Sequence, residues 1–354
     1  MGGNVQIKDK GADRIDLTKI SRNDFVKELT KSLDTINTAF DKTTGFPLWV
    51  APVFKSKSFL SGSAYHFFDE NIADEEFVSY KESVGDIDTQ VNGLHHKEIE
   101  DFLNKNEGKT FGDLELVGFK KSANQYISLW TSNKFKINIQ IDFEMVDFDE
   151  NGHPTPWSSF SHSSAWEDMK VGVKGVAHKY LYRALSAKDL KTVIIKAKTA
   201  RGSNKEVLSA EVAFSPSGFR RKLKPVLDDN GIQVQERGIP VYQELTTKET
   251  GFITDLDVIF EAFFGHLPSA QEKAKMESFI GTLDLVKDNY NATQKRHVAD
   301  GFANTLWGPG AQSLYRDDQE RDLREKTIMM GVLCKKLDIN ENSFTMIKMR
   351  YYKG

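Results

Sequence analysis

Apolar positions fall into three rhythms along this chain. Between Ser21 and Phe40, Phe25, Leu29, Leu33, Ile36 and Phe40 recur three and four apart, which predicts a helix capped by Ser21 or Asn23. From about residue 84 to 147 the rhythm changes to every second position. "VGDIDTQV", "DLELVGF", "QYISLW" and "KFKINIQIDFEMVDF" each read as strands. Between the first two, "GLHHKEIEDFLNKN" reads as a helix with Leu94, Ile99, Phe102 and Leu103 on its buried side. Residues 149–164 form a turn-rich connector with two prolines. A helix is expected from Lys174 onward, then a hairpin turning at Arg201-Gly202-Ser203-Asn204. From 252 the rhythm is helical through "DLDVIFEAFF", "AQEKAKMESFIGTLDLVKDNY", "ATQKRHVADGFANTLW" and "QERDLREKTIMMGVLCKKL". Residues 1–15 are polar and read as a loose lead-in. Interleaved helices and strands give the class α+β, a mixed sheet core with flanking helices followed by a helical C-terminal domain. The expected divisions are a lead-in and helix over 1–45, a core with a basic hairpin extension over 46–250, and helices over 251–354.

Composition narrows the picture little. A net charge of −3 over 354 residues excludes a uniformly basic nucleic-acid coat and leaves room for a local basic channel. Cys334 is the single cysteine, so neither an intrachain disulfide framework nor a cysteine-rich zinc site is available. No apolar run reaches the length of a membrane span, and "MGGNVQIKDKGADRIDL" has no apolar signal-peptide core. The expectation is a cytoplasmic protein with no membrane partner.

Candidate chemistry lies in the alternating stretch. Alternate side chains of a strand share a face, so Asp86 and Asp88 point the same way with Ile87 directed into the core. In "INIQIDFEMV" the same rule puts Ile139, Ile141 and Phe143 on one side, and Gln140, Asp142 and Glu144 on the other. If the two strands are neighbours, Asp86, Asp88 and Asp142 converge. Three carboxylates repel one another and call for a cation. A hard divalent ion suits all-oxygen ligands, Mg²⁺ above all or Mn²⁺ in its place, and commonly brings substrate phosphates with it. Upstream, Gly62-Ser63 follows Leu60 and Ser61 and precedes "AYHFF". There a glycine lets the backbone come close to an anion, and Ser63 adds a hydroxyl and an amide.

Gly62-Ser63, then Asp86-Ile87-Asp88, then Asp142 between Ile141 and Phe143, resembles the DNA-polymerase-β-like nucleotidyltransferases over roughly residues 46–200. The resemblance implies their fold, Mg²⁺, a nucleoside triphosphate donor and pyrophosphate release. It implies that Asp86 and Asp88 hold the metals, that Asp142 is the third carboxylate, and that Gly62 and Ser63 bind the phosphates. The chain departs from the family in spacing. Ser63 and Asp86 stand 23 positions apart, with an acidic insertion over 69–83 between them.

Segment 170–225 carries fourteen Lys and Arg against three acidic residues, a patch suited to a triphosphate or to RNA or single-stranded DNA. Within it, Lys174 and Lys179 are the candidate triphosphate ligands, and His178 reads as a surface residue. His95, His96 and His162 read as surface histidines too. "RDDQERDLREK" reads as a solvent-exposed helical face. The expected activity is transfer of a nucleoside monophosphate to a hydroxyl, with a nucleic-acid 3′ end as the favoured acceptor. The alternatives are synthesis of a signalling oligonucleotide, and a non-catalytic nucleotide- or nucleic-acid-binding module.

Overall fold

The computed structural model describes residues 5–52, 57–196, 204–215, 217–308, 311–315 and 318–353. They form two compact units, 1–170 and 171–354, in which helices and strands are mixed. No helix among the described residues is long and apolar enough to cross a membrane.

The first unit begins with a hairpin of β1 (Gln6–Ile7) and β2 (Lys10–Gly11) where a loose lead-in was expected. Its turn residues Lys8 and Asp9 take φ of 50° and 61°, the left-handed pair that such turns need. Next, β3 (Ile15–Asp16) pairs with β4 (Ser83–Val84). Helix α1 (Arg22–Thr44) follows, and the Ser21 hydroxyl accepts from the Asp24 amide to cap it. Gly45 ends it in the left-handed conformation at φ 85°. Phe25, Leu29, Leu33, Ile36 and Phe40 are all buried, as the periodicity predicts.

Two short helices come next, α2 (Gly62–Phe67) and α3 (Asp74–Tyr80). A five-stranded sheet is then built from β5 (Asp86–Asn92), β6 (Thr110–Phe111), β7 (Leu114–Ser122), β8 (Gln125–Ser132) and β9 (Ile137–Val146), in the order β5-β9-β8-β7-β6. The β5–β9 pair is parallel and the rest are antiparallel. Helix α4 (His96–Lys105) buries Ile99, Phe102 and Leu103. Leu94, expected beside them, lies in the short 3₁₀ turn before the helix and is 83 % exposed. One apolar core joins the α1 residues to Ile87, Val91, Ile139, Ile141 and Phe143 of the sheet. The opposite face of β5 and β9 is left for the acidic side chains. The unit closes with α5 (Pro156–Ser161) and α6 (Trp166–Lys170).

The acidic stretch 69–83 is built into this core. Phe77 is fully buried in it, and Trp166 stacks on the Phe77 ring. The buried Arg22 guanidinium donates to the carbonyls of Phe67, Asp69 and Ile72 and pairs with Asp74. One planar fork thus ties down the path from α2 to α3, and a lysine cannot reproduce that geometry. Arg22→Lys is therefore expected to cost about 1–2 kcal/mol, the worth of one or two buried hydrogen bonds. A thermal melt within a degree of wild type would show that the fork is not what holds the stretch.

In the second unit, α7 (Val176–Leu185) is followed by a sheet ordered β11-β10-β16-β14. Its strands are β10 (Lys191–Lys196), β11 (Asn204–Ser209), β14 (Leu223–Pro225) and β16 (Ile239–Glu244), with β15 (Gln235–Glu236) pairing β16. Strands β12 (Val212–Ser215) and β13 (Gly218–Arg221) make a separate hairpin. β10 and β11 form the expected hairpin, pairing Lys196 with Asn204. Its anticipated turn at 201–204 lies outside the described residues except for Asn204. Helices α8 (Thr247–Thr250), α9 (Leu256–Phe264), α10 (Ala270–Met276), α11 (Phe279–Asn289), α12 (Ala292–Trp307), α13 (Gln319–Leu337) and α14 (Thr345–Lys353) complete the unit. The strands over 191–244 therefore group with these helices, and the division falls at 170/171 where 250/251 was expected. Close packing of α7 on α12 places α7 in this unit as well. A Cβ on Gly301 of α12 would meet Ala187, just past α7, at 2.9 Å.

Candidate active site

The parallel register of β5 and β9 sets Asp86 opposite Gln140, Asp88 opposite Asp142, and Gln90 opposite Glu144. Each strand alternates, so these six polar residues share one face while Ile87, Ile141 and Phe143 go to the core. Asp86, Asp88 and Asp142 each bring a carboxylate oxygen within 4.8 Å of the others. The neighbourhood expected from the alternation is present.

Burial and repulsion act together on this cluster. Burial first, then the negative charges of Asp86, Glu144 and Asp142, hold the Asp88 carboxyl well above its ordinary value of 3.8. The residue keeps some surface exposed, while its carboxyl group is crowded by protein. Asp142 is pushed up to about 7, chiefly by burial and then by the charge of Asp86. A hydrogen bond from Gln140 works against that rise. Its Nε2 donates to both Asp142 oxygens, at 3.0 and 3.1 Å.

The Gly-Ser turn is fixed directly against Asp88. The Ser61 amide donates to the Asp88 carbonyl at 3.2 Å, and Leu60 bridges to Thr89. Gly62 takes φ 55°, and a Cβ there would sit 2.8 Å from Asp88 Oδ2. Glycine is needed at this position twice over, for the left-handed backbone and for the close approach of a carboxylate. The Gly62 amide is spent on the carbonyl of His162 at 3.2 Å. Ser63, the second residue of α2, has no acceptor for its amide within the helix, as expected of a first turn. The Ser61 hydroxyl donates to Glu144 Oε2.

Of the sequence candidates, Gly62, Ser63, Asp86, Asp88 and Asp142 fall together in the first unit. Lys174 and Lys179 belong to the second. There Lys174 pairs with Glu325 at 3.0 Å and lies over the Tyr315 ring. His178 is buried rather than on the surface. It meets the Met276 carbonyl through Nε2, and burial pushes it down to about 4. In "RDDQERDLREK", Asp318, Gln319, Glu320 and Arg324 are exposed as expected, whereas Asp322 and Lys326 are paired at 3.2 Å and almost fully buried.

Gln140 and Ser61 are the residues the sequence reading passed over. A glutamine two positions before a candidate aspartate, on the same strand face, is a signal available from alternation alone. No protein-family model matches the chain, and a search of curated proteins finds no match either.

Proposed function

We propose that this chain is a Mg²⁺-dependent nucleotidyltransferase of the DNA-polymerase-β-like kind, with the mixed sheet of the first unit as its catalytic core. The observation that carries the reading is the convergence of Asp86, Asp88 and Asp142 within 4.8 Å, with Gly62 of the Gly-Ser turn packed on Asp88. Three carboxylates this close, on a half-buried face, suit a divalent cation with oxygen ligands. Asp86, Asp88 and Asp142 would hold it. When bound, the ion neutralises triphosphate charge and lowers the pKa of an attacking hydroxyl.

The protein's own groups do the rest. Ser63 offers an amide and a hydroxyl to phosphate oxygens, and Gly62 keeps the turn close enough for them to reach. Asp142, the third carboxylate of the cluster, is the group assigned to take the acceptor's proton. In the proposed step the acceptor hydroxyl gives its proton to Asp142 and its oxygen bonds to the α-phosphorus of the nucleoside triphosphate. The bond from that phosphorus to the bridging oxygen breaks, and pyrophosphate leaves with the electron pair. The acceptor assigned is a nucleic-acid 3′ end, on the strength of the fourteen basic residues in segment 170–225.

The test is incubation with each α-³²P-labelled nucleoside triphosphate and Mg²⁺, alone and with single-stranded RNA or DNA. The Asp86→Ala/Asp88→Ala double variant runs beside it. Label should move onto the polynucleotide with wild type and not with the double variant. Label moving without polynucleotide would make the product a nucleotide oligomer. No transfer, together with no binding of the triphosphate in Mg²⁺, would sink the reading.

A further inference from the structure

Gln140 is 4 % exposed and committed at both ends of its amide. Its Nε2 donates to both oxygens of Asp142, at 3.0 and 3.1 Å, while its Oε1 accepts from the Val5 main-chain amide at 3.2 Å. Turning the amide over would aim an oxygen at the carboxylate and an NH₂ group at the Val5 N–H. Both pairings are repulsive, so the Val5 amide selects the orientation in which Gln140 donates to Asp142.

Val5 is itself held in place. Its carbonyl accepts from the Ala12 amide across the hairpin at 2.9 Å, and Ile7 is buried against Val117 and Leu129. Asn138, two residues before Gln140 on β9, donates through its side chain to the Gly11 carbonyl at 3.1 Å. Its main-chain amide donates to Asp13 Oδ2 at 2.8 Å. The strand that carries Asp142 is thus stitched to the N-terminal hairpin at two points.

We infer that Gln140 is a positioning residue for Asp142, oriented by the Val5 main-chain amide, so that the N-terminal hairpin is a working part of the carboxylate site. The inference rests on the metal-binding reading proposed above. Second-layer partners of metal-ligating groups are worth 10–100-fold in metal affinity when removed.

The test is Mn²⁺ binding to the full-length chain, followed by electron paramagnetic resonance. Four proteins are compared: wild type, Gln140→Met, Val5→Pro and the double variant. Gln140→Met keeps the volume and removes the donor. Val5→Pro removes the single N–H that orients the amide. Gln140→Met should weaken Mn²⁺ binding about tenfold and lower kcat more than it raises KM for the nucleotide. Val5→Pro should weaken binding in the wild-type background and do nothing further in the Gln140→Met background. A merely structural role would make the two losses add.

The failures separate. Wild type that binds no Mn²⁺ overturns the metal reading and the inference with it. Wild type that binds Mn²⁺, with Gln140→Met binding it equally well, overturns the inference and leaves the metal reading standing. Fully additive losses overturn the part assigned to Val5.

Discussion

Asp88→Asn will melt at a higher temperature than wild type at pH 8 without divalent ions and, on the function proposed above, will lose nucleotidyl transfer by about a thousandfold or more. A preorganised charge in a water-poor site is commonly worth roughly 10²–10³-fold by itself, and here one change also removes a carboxylate from the proposed ligand set. The stability gain follows from the direction of the titration. The carboxyls of Asp88 and Asp142 are both raised, Asp142 from 3.8 to about 7. The folded state therefore holds protons that the unfolded state has released. Stability falls as pH climbs from the unfolded value near 3.8 and levels off above the folded value. Each pKa unit corresponds to about 1.4 kcal/mol, so the cluster costs the ion-free protein on the order of a few kcal/mol at pH 8. Melting curves at pH 5 and pH 8 should show the Asn variant gaining on wild type as pH rises. Added Mn²⁺ should then raise the wild-type midpoint, more at pH 8 than at pH 5, and leave the variant unmoved. An Asn variant less stable than wild type at pH 8 would mean that the three carboxylates are not in conflict.

Gly62→Ala carries the second large effect, and it acts on the same carboxylate from the other side. The new methyl group would lie 2.8 Å from Asp88 Oδ2 on a backbone at φ 55°, so either the turn lifts or the carboxylate swings. The left-handed backbone alone costs an L-residue about 1–2 kcal/mol. Misplacing a reacting group by about 1 Å can cost roughly a hundredfold in rate. We expect a loss of that order in kcat, a melting temperature a few degrees lower, and weaker Mn²⁺ binding. Full activity in Gly62→Ala would show that the turn yields freely and does not set the position of Asp88.

Much of this site was legible because alternation is a strong rule. It gave Asp86 and Asp88 one face, put Asp142 on the polar side of its strand, and named the buried partners Ile139, Ile141 and Phe143. Parallel pairing of strands 54 positions apart could only be assumed, because nothing local in either strand specifies its neighbour. The N-terminal hairpin was invisible for a different reason. Its turn uses Lys8 and Asp9 where an Asn-Gly or Asp-Gly signal would announce a left-handed pair. Charge misled the reading in the second unit. Asp322 and Lys326 look solvated in sequence, yet a turn of helix lets each neutralise the other inside the protein. His178 was misread similarly, since a carbonyl that satisfies its ring comes from Met276, 98 positions away.

β5, which carries Asp86 and Asp88, is the outermost strand of its sheet. An open strand edge is a template for pairing with another chain, and proteins blunt such edges by covering them. Here Leu60 and Ser61 lie along the edge, through the bridge to Thr89 and the bond to the Asp88 carbonyl. The segment that brings Gly62 to the carboxylates therefore also guards the chain against edge-to-edge aggregation. Variants that loosen it should lose solubility along with rate, forming high-molecular-weight species on size exclusion while their helical signal persists.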